Sequence, residues 1–367
     1  MTTPHPIQMA LRLGQSIWCD FLSRDLLASG ELDGMIRSGV RGVTTNPSIF
    51  DNAIGKTSDY DDDILVLRKK GKTAEEIYTA LTVADVQEAA DRFLPVYEES
   101  GGKDGFVSLE VSPLLAHDEE GTVAEAGSLA ALVDRKNVMI KIPATREGVG
   151  AIRKAIASGI SINATLMFSR NQYGDVAEAF ISGLEDRLSR GLPVDGIASV
   201  ASFFVSRVDT AVDKLLDARQ ARELQGKIAI DNARAVYRDF ETLFSSPRWH
   251  ALEEKGAQLQ RPLWASTGTK NPAYSPTLYV DSLTGPFTVN TLPPATLEAF
   301  GKVDRIETTV TADRDGMDHR LGLLVTLGIS LREVTDTLLK EGVEAFGKSY
   351  RSLLDSIEKK GRSLSAE

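Results

Sequence analysis

Cysteine is nearly missing from this chain. Cys19 is the only one among 367 residues, so no internal disulfide can form and a reducing compartment is the simplest setting. Histidine is scarce as well. His5, His117, His250 and His319 lie far apart, without the HxH or HExxH spacing of a metal site, so neither a metal nor another cofactor is expected. The opening MTTPHPIQMALRLGQ has no continuous apolar core, and no apolar run nears the ~20 residues of a membrane span. A cytoplasmic protein with no membrane partner is the expectation. Positive charge is in deficit: 42 Lys and Arg face 52 Asp and Glu, a formal net charge of -10. That balance argues against nucleic acid as a partner, because phosphate backbones demand a basic footprint. It leaves room for a local basic pocket that takes a small phosphorylated molecule.

What the chain does contain is an alternation of short apolar strands and amphipathic helices. The strand candidates are SIWCD (16–20), GVTT (42–45), GFVSLEV (105–111), VMIKI (138–142), GISINAT (159–165), IASVASF (197–203), PLWAST (262–267) and TLYVDSL (277–283). Strands this apolar, separated by helical segments, suit parallel pairing in βαβ units. Eight such units predict an α/β fold of the TIM (β/α)8 barrel type. Thr73 with Glu76, Ser169 with Gln172 and Ser330 with Glu333 have capping-box spacing at helix starts. Between 169 and 190 apolar residues recur at Val176, Ala179, Phe180 and Leu184, a core-facing stripe. Extra helices are expected in an insert at about 206–256, read as surface embellishment, and at about 330–359. The latter should pack across the barrel or against a partner, which leaves a homodimer open. No repeat, low-complexity run or proline-rich linker marks a boundary, so residues 1–367 read as one barrel domain.

Three local patterns imitate ligand loops and fail. Gly55-Lys56-Thr57 resembles the end of a phosphate loop, but Phe50 stands where its first glycine belongs. Gly148-Val149-Gly150 follows a strand as a dinucleotide fingerprint would, but Arg153 takes the third glycine's place. Asp59, Asp61, Asp62 and Asp63 lack the central glycine and terminal glutamate of a calcium loop and read as a solvated helix start.

Lys141 interrupts the apolar run VMIKI, which Pro143 closes. A barrel-end lysine can pack its stem and lead its ammonium to water. In this architecture, however, side chains at the carboxyl ends of strands form the active site. Those ends carry Asp20, Thr44 to Asn46, Glu110, Lys141, Asn163, Thr165, Ser202 and Ser266, a polar ring with two carboxylates about one lysine. Each has a structural reading of its own: Asp20 as a helix cap, Asn46-Pro47 as a turn, Glu110 as a surface charge. Their recurrence on several strands favours a site.

Four segments resemble the signatures of the transaldolases, in the expected order: GVTTNPSIF (42–50), VMIKIPATREG (138–148), SINATLMFS (161–169) and ASFFVSRVD (201–209). The similarity runs from about 15 to 350, and WASTGTKNP (264–272) resembles the longer subgroup of actinobacterial and cyanobacterial type. The resemblance implies a TIM barrel and a metal-independent transferase of the pentose phosphate pathway. Such enzymes move a dihydroxyacetone unit from sedoheptulose 7-phosphate or fructose 6-phosphate to glyceraldehyde 3-phosphate or erythrose 4-phosphate. It implies Lys141 as Schiff-base nucleophile and Asp20 as acid/base. Glu110 with Thr165 would hold a proton-shuttling water, and Asn46 and Asn163, beside Thr45, would bind the dihydroxyacetone hydroxyls. Ser202 and Arg207 would take phosphate, with Phe204 lining the site. Related aldolases that cleave fructose 6-phosphate without transfer carry a tyrosine at the place of Phe204 and are much shorter. The better-known subgroup has an arginine after its seventh strand; here Ser266 and Lys270 stand in that segment.

The chemistry fits those residue types. Breaking a carbon–carbon bond beside a ketone leaves a carbanion, and a protonated imine is the electron sink that an amine can build. A free lysine, with a pKa of about 10.4, is neutral in only about one molecule in two thousand at pH 7. An apolar strand such as the one flanked by Ile140 and Ile142 favours the neutral amine, whereas an ionised Glu110 nearby favours the ammonium. Dehydration of the carbinolamine then needs an acid within hydrogen-bond reach. A stand-alone lyase of the same substrates and a non-catalytic sugar-phosphate binder are the competing readings.

Overall fold

In the computed structural model, which describes residues 5–364, eight parallel strands close into a barrel in sequence order. They are β1 (Gln15–Cys19), β2 (Gly42–Thr44), β3 (Phe106–Glu110), β4 (Val138–Pro143), β5 (Ile162–Met167), β6 (Ser199–Phe204), β7 (Gln260–Ala265) and β8 (Thr288–Leu292). Helices lie between successive strands, as right-handed parallel crossovers require. The first seven strands agree with the sequence to within a few residues. The eighth does not.

Residues 277–283 were expected as the closing strand, but Leu278–Ser282 is a short helix. Thr277 donates its hydroxyl to Asp281 Oδ2 at 2.7 Å, an i, i+4 bond that favours the helical turn. A short apolar run cannot be told from a buried helical turn by periodicity alone. Closure falls instead to TVNTL beyond the Gly285-Pro286 turn, paired with β1 from Gln15–Thr288 to Cys19–Leu292. The insert also differs from a surface embellishment. Its helix Ile228–Leu243 buries Ile228, Ile230, Val236, Tyr237 and Phe240 and belongs to the barrel's helical layer.

Helix starts follow their caps. Thr73 and Ser169 each complete a reciprocal capping box with Glu76 and Gln172, and Glu333 donates its backbone N–H to Ser330 Oγ at 3.2 Å. Gly148 answers the apparent dinucleotide motif. A Cβ there would sit 1.9 Å from the Pro143 carbonyl oxygen, so the glycine lets helix Arg146–Ser158 begin directly against the end of β4.

Alternation along the strands sorts the barrel interior. Ser16, Trp18 and then Asp20 point inward along β1, and Phe106, Ser108 and Glu110 do so along β3. Trp18 is fully buried, with its ring 6.4 Å from that of Phe106. The amino-terminal end is plugged by a polar knot. Asp104 accepts from Ser16 Oγ and from Trp18 Nε1 at 3.1 Å, and pairs with Arg261 at 3.3 Å. Arg261 also donates to the Thr288 carbonyl at 2.7 Å, linking β1, β7 and β8. At the opposite end the C-terminal helix Leu331–Leu364 lies over the helices Pro47–Gly55, Asp61–Lys69, Ala74–Glu99 and Ser206–Ala218. It buries Leu338, Gly342, Phe346, Tyr350 and Leu353, a stripe at spacings of four and three facing the barrel's own chain. No described helix is long and apolar enough to cross a membrane.

Asp104→Ala should cost about 2 kcal/mol of unfolding free energy, because it leaves the buried Trp18 indole N–H without its acceptor and takes one partner each from Ser16 and the half-buried Arg261. Urea denaturation measures this; a loss below about 1 kcal/mol would show that the knot does not hold the barrel floor.

Candidate active site

The carboxyl ends of the strands gather around a cavity of about 160 Å3. Asp20, Asn46, Lys141, Thr165, Ser202, Phe204, Arg207, Ser266 and Lys270 line it, together with Thr44, Ser48, Thr291, Pro293 and Phe346. Strand register builds its floor. Glu110 pairs with Lys141 across β3 and β4, and Lys141 with Asn163 across β4 and β5, so the three share one layer.

Lys141 is 4% exposed. Its Nζ donates to the Thr45 carbonyl at 2.7 Å and lies 3.3 Å from Glu110 Oε2. Glu110 sits behind the amine, outside the cavity lining. Burial raises its pKa above the ordinary carboxylate range, the Lys141 charge opposes this, and nearby Asp20 adds a smaller push upward. Asp20 faces the amine from the end of β1. Burial raises its pKa too, against the pull of Lys141, the Thr44 hydrogen bond and Lys270. Thr44 Oγ1 donates to Asp20 Oδ1 at 2.7 Å and meets Thr291 Oγ1 at 2.6 Å. Two carboxyl groups pushed toward their protonated forms beside one amine can exchange protons at moderate pH.

Thr165 is buried and its hydroxyl has no hydrogen-bond partner among the described residues. The strand around it is irregular, with a register shift between Ala164 and Met167 and Leu166 in the left-handed region at φ 58°. A bulge of this kind re-aims the side chains beside it. Left-handed backbone at a leucine is costly and persists where packing over-determines it.

Three expected ligand-binding groups are engaged by the protein itself. Asn163 is fully buried, donating to Ser108 Oγ at 3.1 Å and accepting from Ser202 Oγ at 2.6 Å. The Thr45 hydroxyl donates to the Ser108 carbonyl at 2.7 Å, so Thr45 meets Lys141 through its backbone oxygen. Asn46 Oδ1 accepts from Ile49 N at 3.0 Å as the cap of helix Pro47–Gly55, and its Nδ2 donates to no described residue.

Two cations stand on the rim. Arg207 is the second residue of helix Ser206–Ala218, with its guanidinium carbon 5.5 Å from the Phe204 ring centroid. Neither Arg207 nor Lys270 makes a hydrogen bond or ion pair with a described residue. The helix start has no side-chain cap, so its leading N–H groups add to the positive potential there. Ser266, at φ 53°, brings its hydroxyl to 3.0 Å from that of Ser206. The arrangement suits an anion at the rim and a carbonyl at the floor. Among the described residues, no group of three or more His, Cys, Asp or Glu is arranged to hold a metal ion. A larger groove of about 800 Å3 lies outside Phe21 and Pro294; its one lysine, Lys56, is bonded to Asn52.

The family model described as Transaldolase/Fructose-6-phosphate aldolase matches residues 17–357. The chain belongs to this family. The protein named Transaldolase 2 from Streptomyces coelicolor is 49% identical over 352 residues, covering 94% of both chains. Transaldolase from Thermobifida fusca is 48% identical over 357 residues, spanning 96% of this chain and 97% of its own. Transaldolase from the cyanobacterium Trichodesmium erythraeum is 44% identical over 380 residues, with 99% of each chain covered.

Sequence reasoning missed Thr291 and Pro293 because it placed the eighth strand too early; the alternation in TVNTL was the available signal. Phe346 had no local signal, since a helix far along the chain carries it into the lining.

Behind the rim, Asp209 is buried and its carboxyl is pushed up to about 7, chiefly by burial. The fold therefore prefers its protonated form. The stability this group supplies is complete below about pH 4, where the unfolded side chain is protonated too, and is lost as pH rises through about 7. Asp209→Asn should thus gain stability relative to the parent chain between about pH 4 and pH 7, as read from unfolding midpoints. A difference that stays constant with pH would contradict the assignment.

Proposed function

We propose that the chain is a transaldolase that moves a three-carbon dihydroxyacetone unit from a ketose phosphate to an aldose phosphate through an imine on Lys141. The observation that carries the reading is the buried Lys141 amine, 3.3 Å from Glu110, beneath a rim with two cations that pair with no described residue, in a chain of this family. In this account Lys141 attacks the ketone carbon of sedoheptulose 7-phosphate or fructose 6-phosphate. The carbinolamine hydroxyl is protonated and leaves as water, with Glu110 and Thr165 relaying protons. Asp20 then takes the proton of the hydroxyl at the fourth carbon. The bond between the third and fourth carbons breaks, its electron pair flows into the iminium, and the aldose phosphate departs. The enamine stays bound until glyceraldehyde 3-phosphate or erythrose 4-phosphate arrives, and the steps reverse.

The elevated pKa of Asp20 suits a group that must accept and return a proton. Arg207, Lys270, Ser202 and Ser266 take the phosphate, aided by the uncapped helix start. The Nδ2 of Asn46 binds a hydroxyl of the three-carbon unit, and Asn163 braces Ser202. Phe204 offers the rim a ring without a proton donor, which suits an enamine that must not be quenched. A lone buried cysteine is compatible with a cytoplasmic setting.

Fructose 6-phosphate without acceptor should release about one aldose phosphate per site and then stop, with turnover restored by erythrose 4-phosphate. Steady release of free dihydroxyacetone without acceptor would instead favour a lyase. Lys141→Ala should abolish turnover while unfolding cooperatively near the parent midpoint, because Glu110, already pushed toward its protonated form, can be neutral without its partner. Near-normal rates in that variant would defeat the mechanism.

A further inference from the structure

The segment joining β7 to the helix Leu278–Ser282 carries Lys270 and has little regular structure of its own. It is nevertheless fastened at both ends to one helix, Ser206–Ala218, which also carries Arg207. At the near end Ser206 donates its backbone N–H to the Ser266 carbonyl at 3.0 Å, and the two hydroxyls meet at 3.0 Å. At the far end the Tyr274 hydroxyl donates to Asp213 Oδ2 at 2.6 Å. Tyr279 repeats the device one turn earlier, donating to Asp209 Oδ2 at 2.9 Å. Lys270 lies midway between the fastened residues 266 and 274.

The acceptors are held in turn. Asp213 Oδ1 accepts from Gly226 N at 3.1 Å and Asp209 Oδ1 from Ala229 N at 2.8 Å. Gly226, at φ 70°, lies flat against the Tyr274 ring, where a Cβ would come within 2.9 Å of the ring carbon bearing the hydroxyl. Lys270 borders both the mouth and a second cavity of about 210 Å3 lined by Asp209, Asp213, Tyr274 and Tyr279. Lys270 therefore lies between the mouth and this buttress, and its charge is felt at Asp20.

We propose that the Tyr274–Asp213 hydrogen bond is a latch that positions Lys270 over the mouth, making Tyr274 and Asp213 positioning residues for recognition of the substrate's phosphate. A lysine is a flexible point charge, less pre-organised than an arginine fork. On an unfastened loop it would lose much of its selectivity for one anion position. The latch compensates by fixing the backbone that carries it, relative to the helix that carries Arg207. This rests on the reading of Lys270 as a phosphate ligand.

The test is a double-mutant cycle of Tyr274→Phe and Lys270→Ala, read by KM for fructose 6-phosphate with erythrose 4-phosphate as acceptor, and by inhibition with inorganic phosphate. Tyr274 is only half-buried, so loss of its hydroxyl leaves Asp213 Oδ2 reachable by water and the fold intact; Asp213→Asn serves as the second probe. Tyr274→Phe should raise KM and the phosphate inhibition constant together, three- to tenfold, with kcat within twofold. In the Lys270→Ala background it should add nothing. An unchanged KM in Tyr274→Phe, while Lys270→Ala raises it, overturns the latch and leaves the phosphate reading standing. An equal effect of Tyr274→Phe with and without Lys270 also overturns it. If Lys270→Ala changes neither quantity, the phosphate role of Lys270 fails and the latch with it.

Discussion

A charged pair buried at the barrel axis is the constraint around which the rest is arranged. Lys141 and Glu110 are 4% and 6% exposed and 3.3 Å apart, with the amine at the cavity wall and the carboxyl behind it. A buried pair of this kind returns little net stability, because desolvation offsets most of the attraction. Stability alone does not account for such a pair. The surrounding groups reduce the cost without cancelling it: the Thr45 carbonyl accepts from the amine, and the elevated pKa of Glu110 leaves that carboxyl able to exchange a proton. A salt bridge optimised for stability would lower the carboxyl's pKa; here burial raises that of Glu110 against the opposing Lys141 charge.

The barrel separates that liability from what holds the fold. At the amino-terminal end Asp104, Arg261, Ser16 and Trp18 form a satisfied knot that ties non-adjacent segments together. Trp18, one inward position below Asp20, fills the interior between the two ends. The cavity end by contrast has, among the described residues, a Thr165 hydroxyl without a hydrogen-bond partner, two cations without an ion pair and two left-handed residues, Leu166 and Ser266. Local strain and incomplete satisfaction at one end are tolerated because the other end is well tied. The C-terminal helix bridges the two roles. Its apolar stripe packs on the helices around the mouth, and the same stripe delivers Phe346 into the lining.

Charges set inside a strand were the easiest positions to read from sequence. Lys141 in VMIKI and Glu110 in GFVSLEV break an apolar run with a charge, and the barrel's alternation then points them to the axis. Asp20, Thr165 and Ser202 followed from position at strand ends. What sequence could not supply was anything set by distant packing. TLYVDSL reads as a strand until the Thr277–Asp281 bond and the Tyr279 reach to Asp209 are seen. Asn163 has the look of a ligand-binding amide, and only the structure shows that it also bonds Ser108 and Ser202. Phe346 and Tyr274 act across hundreds or tens of residues, and no local pattern marks them.

The central claim is that the amine of Lys141 bonds covalently to the ketone carbon of the donor. Reduction with borohydride during incubation with fructose 6-phosphate converts such an imine into a stable secondary amine, and peptide mass mapping locates it. The account predicts a single three-carbon adduct on Lys141, absent without substrate. An adduct on Lys270 or any other lysine, or no adduct in an enzyme that turns over, would contradict it.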